Sequence, residues 1–343
     1  MPRFTPPFAA GPGEVEVERV ICASLASHKE NVYATMEAIR ARALRHNPAA
    51  GIHVALLYQS GWFLHWAEGP SGAVHALFER ISLDDRHHTQ HVVHRSHGRR
   101  LLMTPWSMML SSSTESGAAL GRRVMHLRAE MKAGYQFAPN SVVRRLAAPM
   151  QLPQAMQLPD PESFHRVGVC SAAGNGAFDL VRWLSERAHV PTARRRVAGE
   201  TDRDSGSEFV DFMRGATPCR VIAVARADLN HGLRRAFMQD WQFLALLFSG
   251  DLKRDTALLE LVDEALHDLP SAPDLVAMAP DAETHHHMEK AARAMGLRWL
   301  RGDLTADHDW KAMWQGIDAR LDQLGEPPSS IWAMATSTAD AAN

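Results

Sequence analysis

Two hydrophobic rhythms alternate along the first third of the chain. Val32, Met36, Ile39 and Ala43 recur at helical spacing, which predicts a helix over Val32–His46 that stops before Pro48. Val74, Leu77, Phe78 and Ile81 do the same and predict a second helix over Ala73–Leu83. Between and around them lie short apolar runs of strand length: Arg19–Ser24, Ile52–Tyr58, Trp62–Ala67, His91–His97 and Trp106–Leu110. Gln59-Ser60-Gly61 is a turn signal that makes Ile52–Tyr58 and Trp62–Ala67 a hairpin, and Glu68-Gly69-Pro70 ends it. The order strand, helix, strand, strand, helix, strand, strand predicts a ferredoxin-like α+β plan, an antiparallel sheet covered by two helices.

A further amphipathic helix is expected over Gly117–Lys132. Its stripe of Leu120, Val124, Leu127 and Met131 must bury against the open sheet face, a second domain or another subunit. Prolines 139, 149, 153, 159 and 161 mark 136–163 as a linker. From Phe164 the pattern changes. Val167–Ser171, Arg220–Ala225, Phe243–Phe248, Leu275–Ala279 and Leu297–Leu300 read as strands. Phe178–Ala188, Glu208–Gly215, Asp255–Leu269, His285–Met295 and Asp309–Leu324 read as helices. This alternation predicts a parallel, doubly wound α/β domain of the Rossmann or flavodoxin-like type over 164–325. Residues 1–16 and 326–343 read as tails, leaving 17–135 as the first domain with its C-terminal helix.

Lys plus Arg number 37 and Asp plus Glu 39, a formal net charge of −2, which argues against nucleic acid as the main partner. Arg194–Arg196 reads as a solvated basic loop. No apolar run approaches the roughly 18 residues of a membrane span. Cys22, Cys170 and Cys219 are far apart and odd in number. They read as buried reduced thiols in a cytoplasmic protein.

Histidines are abundant, 19 in all. His87 and His88 fall in a polar loop, His91 and His97 share a face along the next strand while His94 faces the other way, and His285-His286-His287 opens a helix; both groups read as solvated. His53 and His65, one on each hairpin strand, form the better pair. With Cys22 on a third strand they are candidates for a transition-metal or haem site if their side chains share a face. The same groups would otherwise fill a cleft as a hydrogen-bonded set, titrating near neutrality. In the second domain, Gly174 and Gly176 precede a helix and are candidates for cradling a nucleotide phosphate. The Walker lysine and the third glycine of a dinucleotide fingerprint are missing, so a tight strand-to-helix turn competes with that reading. Asp228, Asp251 and Asp281 follow strand ends and read as helix caps or, alternatively, as Mg²⁺ or phosphoacceptor groups. No catalytic nucleophile stands out, and the chain reads as a non-enzyme.

The first 110 residues resemble the BLUF family, blue-light sensors that use flavin. The resemblance is carried by Cys22-Ala-Ser-Leu-Ala26, His46-Asn47, Ala55-Leu-Leu-Tyr58, Trp66-Ala-Glu-Gly69, Asp85-Arg-His87 and Pro105-Trp-Ser-Met108. It implies that Asn47 contacts the flavin ring, that Arg86 lies near the phosphate end, and that Trp106 and Met108 are the last-strand switch pair. The family's photochemistry uses a first-strand tyrosine and a third-strand glutamine. Cys22 and His65 stand at those positions, and His53-Val54 replaces the usual Thr-Gly. A thiol is no phenol, and an imidazole lacks the amide's paired donor and acceptor. The expectation is a degenerate flavin site, filled by Val54, His53 and His65 and holding no cofactor. The protein would then act as a non-photoactive regulatory or scaffolding dimer through protein–protein contact. The alternatives are a sensor holding FAD, haem or a metal with altered chemistry, and a nucleotide-dependent switch or enzyme in the second domain.

Overall fold

A computed structural model describes residues 15–27, 30–111, 113–152, 161–198, 205–304, 309–324, 327 and 331–334. The chain divides into two compact units, residues 1–149 with 329–343, and 150–328.

Unit 1 carries the elements expected from the apolar rhythm. They are β1 (Val17–Ala26), α1 (Val32–His46), β2 (His53–Gln59), β3 (Trp62–Gly69), α2 (Ser71–Ser82), β4 (His87–Gly98) and β5 (Trp106–Ser111). The strand order is β5-β2-β3-β1-β4. β2 and β5 run parallel, so the sheet is mixed rather than wholly antiparallel. A two-residue turn joins β2 to β3. Ser60 and Gly61 both have positive φ (51° and 85°), the geometry whose twist matches the paired strands. The register sets Cys22 opposite His65 and Leu56 opposite His65, so these three share one face. His53, three pairs away and so at odd spacing, lies on the other face with its partner Glu68.

Helices α1 and α2 cover one face of the sheet. Val32 and Met36 pack with Val54, Leu56, Phe63, Ala67, Trp106 and Met108, and Leu77 and Phe78 close on them. The opposite face is covered by α3 (Gly117–Lys132), which buries Leu120, Val124 and Leu127. Gly121 allows this approach, because a Cβ there would sit 3.0 Å from the Trp62 ring. The open sheet face is therefore where the α3 stripe goes.

The linker expected over 136–163 begins later than its prolines suggest. β6 (Tyr135–Phe137) and α4 (Pro139–Ala147) belong to unit 1, with Pro139 at the first turn of α4, where a missing N–H costs nothing. Arg145 of α4 pairs with Glu130 at 2.7 Å and lies over the Phe137 ring. Residues 153–160 lie outside the described residues, as do the expected tail residues 1–14. Part of the C-terminal tail is a strand, Ile331–Met334, paired with β6.

Unit 2 contains, in chain order, β7 (His165–Ser171), α5 (Gly176–Ala188), β8 (Thr192–Ala198), β9 (Ser205–Arg214), β10 (Thr217–Val224), α6 (Gly232–Met238), β11 (Phe243–Leu247), α7 (Leu252–Leu266), β12 (Asp274–Ala279), α8 (Ala282–Ala294), β13 (Trp299–Leu304) and α9 (Trp310–Leu324). The tail strand Ile331–Met334 is β14. Strands lie in the order β13-β12-β11-β7-β10-β9-β8. The pairs from β13 to β10 are parallel, and β9 and β8 add antiparallel neighbours, so this sheet is mixed. Two expectations fail here. Glu208–Gly215 is strand, not helix, and Arg194–Arg196 lies in a strand, not a loop. Phe209, Val210, Asp211 and Phe212 are all buried, and Arg220 of β10 donates twice to Asp211 at 2.7 Å. A strand buried on both faces loses the alternation that identifies strands.

Candidate functional site

A cleft of about 700 Å³ opens between α1 and α2 above the sheet. Ile39, Ala43, Leu77 and Phe78 give it apolar walls, and Val54, His65, Ala67 and Trp106 form its floor. The floor residues come from β2, β3 and β5 at even spacing, which is why the sequence alternation brings them to one side. Asn47 sits at the end of α1, 4% exposed, and borders the cleft. Its position follows from local chemistry: its N–H closes the helix on Ala43 and its carbonyl accepts from Ala50 and Ile52. Arg42, Arg80, Asp84, Asp85 and Arg86, with His46, make a polar and charged rim.

The cleft is not filled, contrary to the expectation. His53 adds no bulk to it, because its ring lies on the opposite face, with Nδ1 2.5 Å from the Leu102 carbonyl. His65 lies back from the opening, stacked near Phe63 (6.3 Å) and edge-on to His87 (5.7 Å). Val54 lines the floor without closing it.

The candidate metal set fares likewise. His65 and Cys22 share a face, and His53 does not join them. Among the described residues no group of three His, Cys, Asp or Glu side chains could hold a metal ion. Burial pushes the Cys22 thiol up to about 12 and His65 down to about 3, the latter helped by the nearby His87. Burial also lowers His53 and His87. The expectation of a buried pair titrating near neutrality is therefore corrected: His65 stays neutral through that range.

Of the residues that the resemblance singled out, Asn47, Arg86 and Trp106 border the cleft, and Met108 packs beneath it in the core. Arg86 is held by Asp84, through Nε to Oδ1 at 2.7 Å and through a second, shorter bond from Nη2. This pairing pulls the Asp84 carboxyl down to about 2. The Trp106 indole N–H is buried and finds no hydrogen-bond partner among the described residues. Arg42 and Arg80 were missed by sequence reasoning, and His87, expected to be solvated, borders the cleft instead. The only signal for His87 was its place after Asp85-Arg86, and its strand parity was hidden by bulges in the β1–β4 pairing. Those bulges also set His91 and His94 on one face, against the simple alternation expected for β4.

In unit 2, Gly174 has φ +60° and opens into space, while a Cβ at Gly176 would lie 3.2 Å from Ser171 Oγ. That hydroxyl accepts from the Ala177 N–H at 2.6 Å, so the helix start is already capped from within. Asp251 and Asp281 cap α7 and α8, and Asp228 pairs with Arg234 at 2.7 Å. No described helix is long and apolar enough to cross a membrane.

Residues 17–109 match the family model BLUF, sensors of blue-light using FAD. The match lies wholly within unit 1. No curated protein matches the chain. Similar solved structures include the BLUF domain of BlrP1, 26% identical with a TM-score of 0.25, the match covering 29% of this chain and 66% of that one, just under two thirds. BlrB, a BLUF protein in its dark state, is 23% identical over 35% of this chain and 86% of its own, TM-score 0.25. Klebsiella pneumoniae BlrP1 in a manganese and cy-diGMP complex is 16% identical over 85% of this chain and 76% of its own, TM-score 0.26.

Proposed function

We propose, from the premise that residues 17–109 are a BLUF domain, that the chain is a regulatory protein whose α1/α2 cleft binds FAD and whose ring environment lacks the family's tyrosine–glutamine switch. The observation that carries this reading is the open cleft, with Trp106 in its floor and Asn47 at its edge. Its volume falls in the range of about 300–1,000 Å³ usual for cofactor sites. Ile39, Ala43, Leu77 and Phe78 would take the ring faces, Asn47 would offer an amide donor and acceptor, and Arg42 and Arg80 would face the phosphates. Arg86, already committed to Asp84, would contribute less than the resemblance implies.

Bound there, flavin would supply light absorption and redox chemistry. The chain's own groups favour a restrained response. His65 stays neutral and can turn no amide, and Cys22 keeps its proton on a thiol pushed up to about 12. The proposal therefore keeps the family's cofactor and gives up its switch. Unit 2 is read as the output module, with five parallel strands in the order β10-β7-β11-β12-β13, which supports a doubly wound, flavodoxin-like reading. Output through protein–protein contact, including a homodimer, rather than through catalysis belongs to the same proposal.

Reconstituting the purified chain with FAD tests it. Saturable binding with quenched flavin fluorescence is expected, with no light-induced red shift of the bound flavin spectrum. The double variant Cys22→Tyr, His65→Gln is expected to introduce such a shift. Failure to bind FAD, or a red shift in the unaltered chain, would remove the proposal.

A further inference from the structure

At the carboxyl ends of the unit 2 strands lies a second cavity, of about 330 Å³. Its walls are Ala172, Ala173 and Gly174 after β7, Arg226 after β10, and one stripe of α7. That stripe is Arg254, Ala257, Leu258 and Leu261, the spacing of a single helix face. The place is set by the topology. From β7 the chain reaches β10 on one side, then crosses to β11 on the other, so the strand order reverses across β7. Loops part at such a point and leave a crevice, where open α/β sheets take their ligands.

The side chains give the crevice a definite chemistry. The β7 loop is all small residues, and nothing lies within 4 Å of where a Gly174 Cβ would be. Arg226 is oriented by a 2.8 Å bond from Nη1 to the Ser171 carbonyl at the end of β7. Arg254 leans on Asp251 at 3.4 Å in a solvent-exposed pair, a contact of little strength. The lining therefore holds two guanidinium groups, no carboxylate, and an apolar wall of Ala257, Leu258 and Leu261. Guanidinium forks suit phosphate oxygens, which take two parallel N–H bonds from each.

We propose that this crevice binds a small organic phosphate, with its phosphate between Arg226 and Arg254 and its body against the Ala257–Leu261 face of α7. The site is independent of the flavin cleft. It moves the ligand function of the Gly174 loop from the start of α5, which Ser171 caps, to the α7 side of the loop.

Isothermal titration of the full chain with AMP, glycerol 3-phosphate, inorganic phosphate and adenosine tests this. At least one phosphate ester is expected to bind and adenosine is not. Arg226→Ser and Arg254→Ser should each weaken binding about tenfold or more. Ala257→Glu, an exposed helix position that tolerates the change, should abolish it by placing a carboxylate in the crevice. Asn47→Ala, in the flavin cleft, should leave it unchanged. Silence from every phosphate probe would overturn the proposal. So would binding that survives Ala257→Glu, or binding lost with Asn47→Ala, which would put the phosphate in the flavin cleft instead.

Discussion

Strand β3 presents its two faces to opposite environments. Phe63, His65 and Ala67 look toward α1 and α2, where space for a ligand remains. Trp66 and Glu68 look the other way, and although Phe63 and Ala67 are as deeply buried, no cleft opens beside Trp66 and Glu68 among the described residues. On that side Glu68 accepts from Leu101 N–H (2.7 Å), Leu102 N–H (2.9 Å) and the Trp66 indole (3.0 Å). Arg19 lies in the same buried layer, donating to Ser96 Oγ at 3.1 Å and the His97 carbonyl at 2.8 Å. Burial brings this guanidinium down to about 10, against the pull of Glu68. On this face the Glu68 and Arg19 side chains are held by several bonds each, although Gln59 Oε1 and Ser111 Oγ have no partner among the described residues. The difference teaches where stability and where binding reside: a buried, many-bonded carboxylate and guanidinium fix the strand from one side, and an open, mainly apolar cleft on the other leaves room for a ligand.

The largest effect should come from the sealed face. Glu68→Ala leaves two backbone N–H groups and an indole unpaired and Arg19 without its nearby carboxylate. A loss of about 3–5 kcal/mol in the unit 1 denaturant transition is expected. A loss no greater than that of a cleft substitution would break the comparison.

Acid comes next. His65 and His94 are both buried and held down to about 3, so below the ordinary histidine range the unfolded chain takes up protons that the folded chain refuses. Stability is then full above pH 6.5 and falls as pH drops toward 3. Between pH 6.5 and 5 each residue should cost roughly 2 kcal/mol. Thermal melts across that window should show the slope, and His65→Gln should remove its share.

Smaller effects are expected on the open face. Ala43→Trp fills cleft space from α1, so it should change stability by less than about 1 kcal/mol, since an added ring meets room rather than packed atoms. Chemical denaturation would read this, and a loss as large as that of Glu68→Ala would mean the cleft is not open in solution. Trp106→Phe should cost no more than about 1 kcal/mol in the flavin-free protein, because the smaller ring loses some packing while the lost N–H strands no partner among the described residues. The same change should weaken FAD binding.

Much of unit 1 was legible in the sequence because each helix stripe and each hairpin strand buries one face only. Val32–His46 and Gly117–Lys132 were bounded to the residue. Elements buried all round were harder. Glu208–Gly215 has Phe209, Phe212 and Met213 at a spacing that imitates a helix turn, and only its pairing with β10 and β8 makes it a strand. α4 was hidden because Pro139 and Pro149 flank it, and half of its buried residues are Asn140, Ser141, Arg144 and Arg145, types that sequence patterns place outside. At the site, the residues carrying the family resemblance could be named, but the cleft could not be judged open. Whether a histidine fills a cleft depends on which face it takes, and register assigns His53 and His65 to opposite ones.

The account turns on whether the open face of β3 holds flavin. Equilibrium titration of the full chain with FAD, followed by quenching of flavin fluorescence, measures this directly, with Ala43→Trp beside it. The account predicts saturable binding at one FAD per chain in the unaltered protein and at least about a tenfold loss in the variant. No binding in the unaltered protein, or equal binding in both, would contradict it.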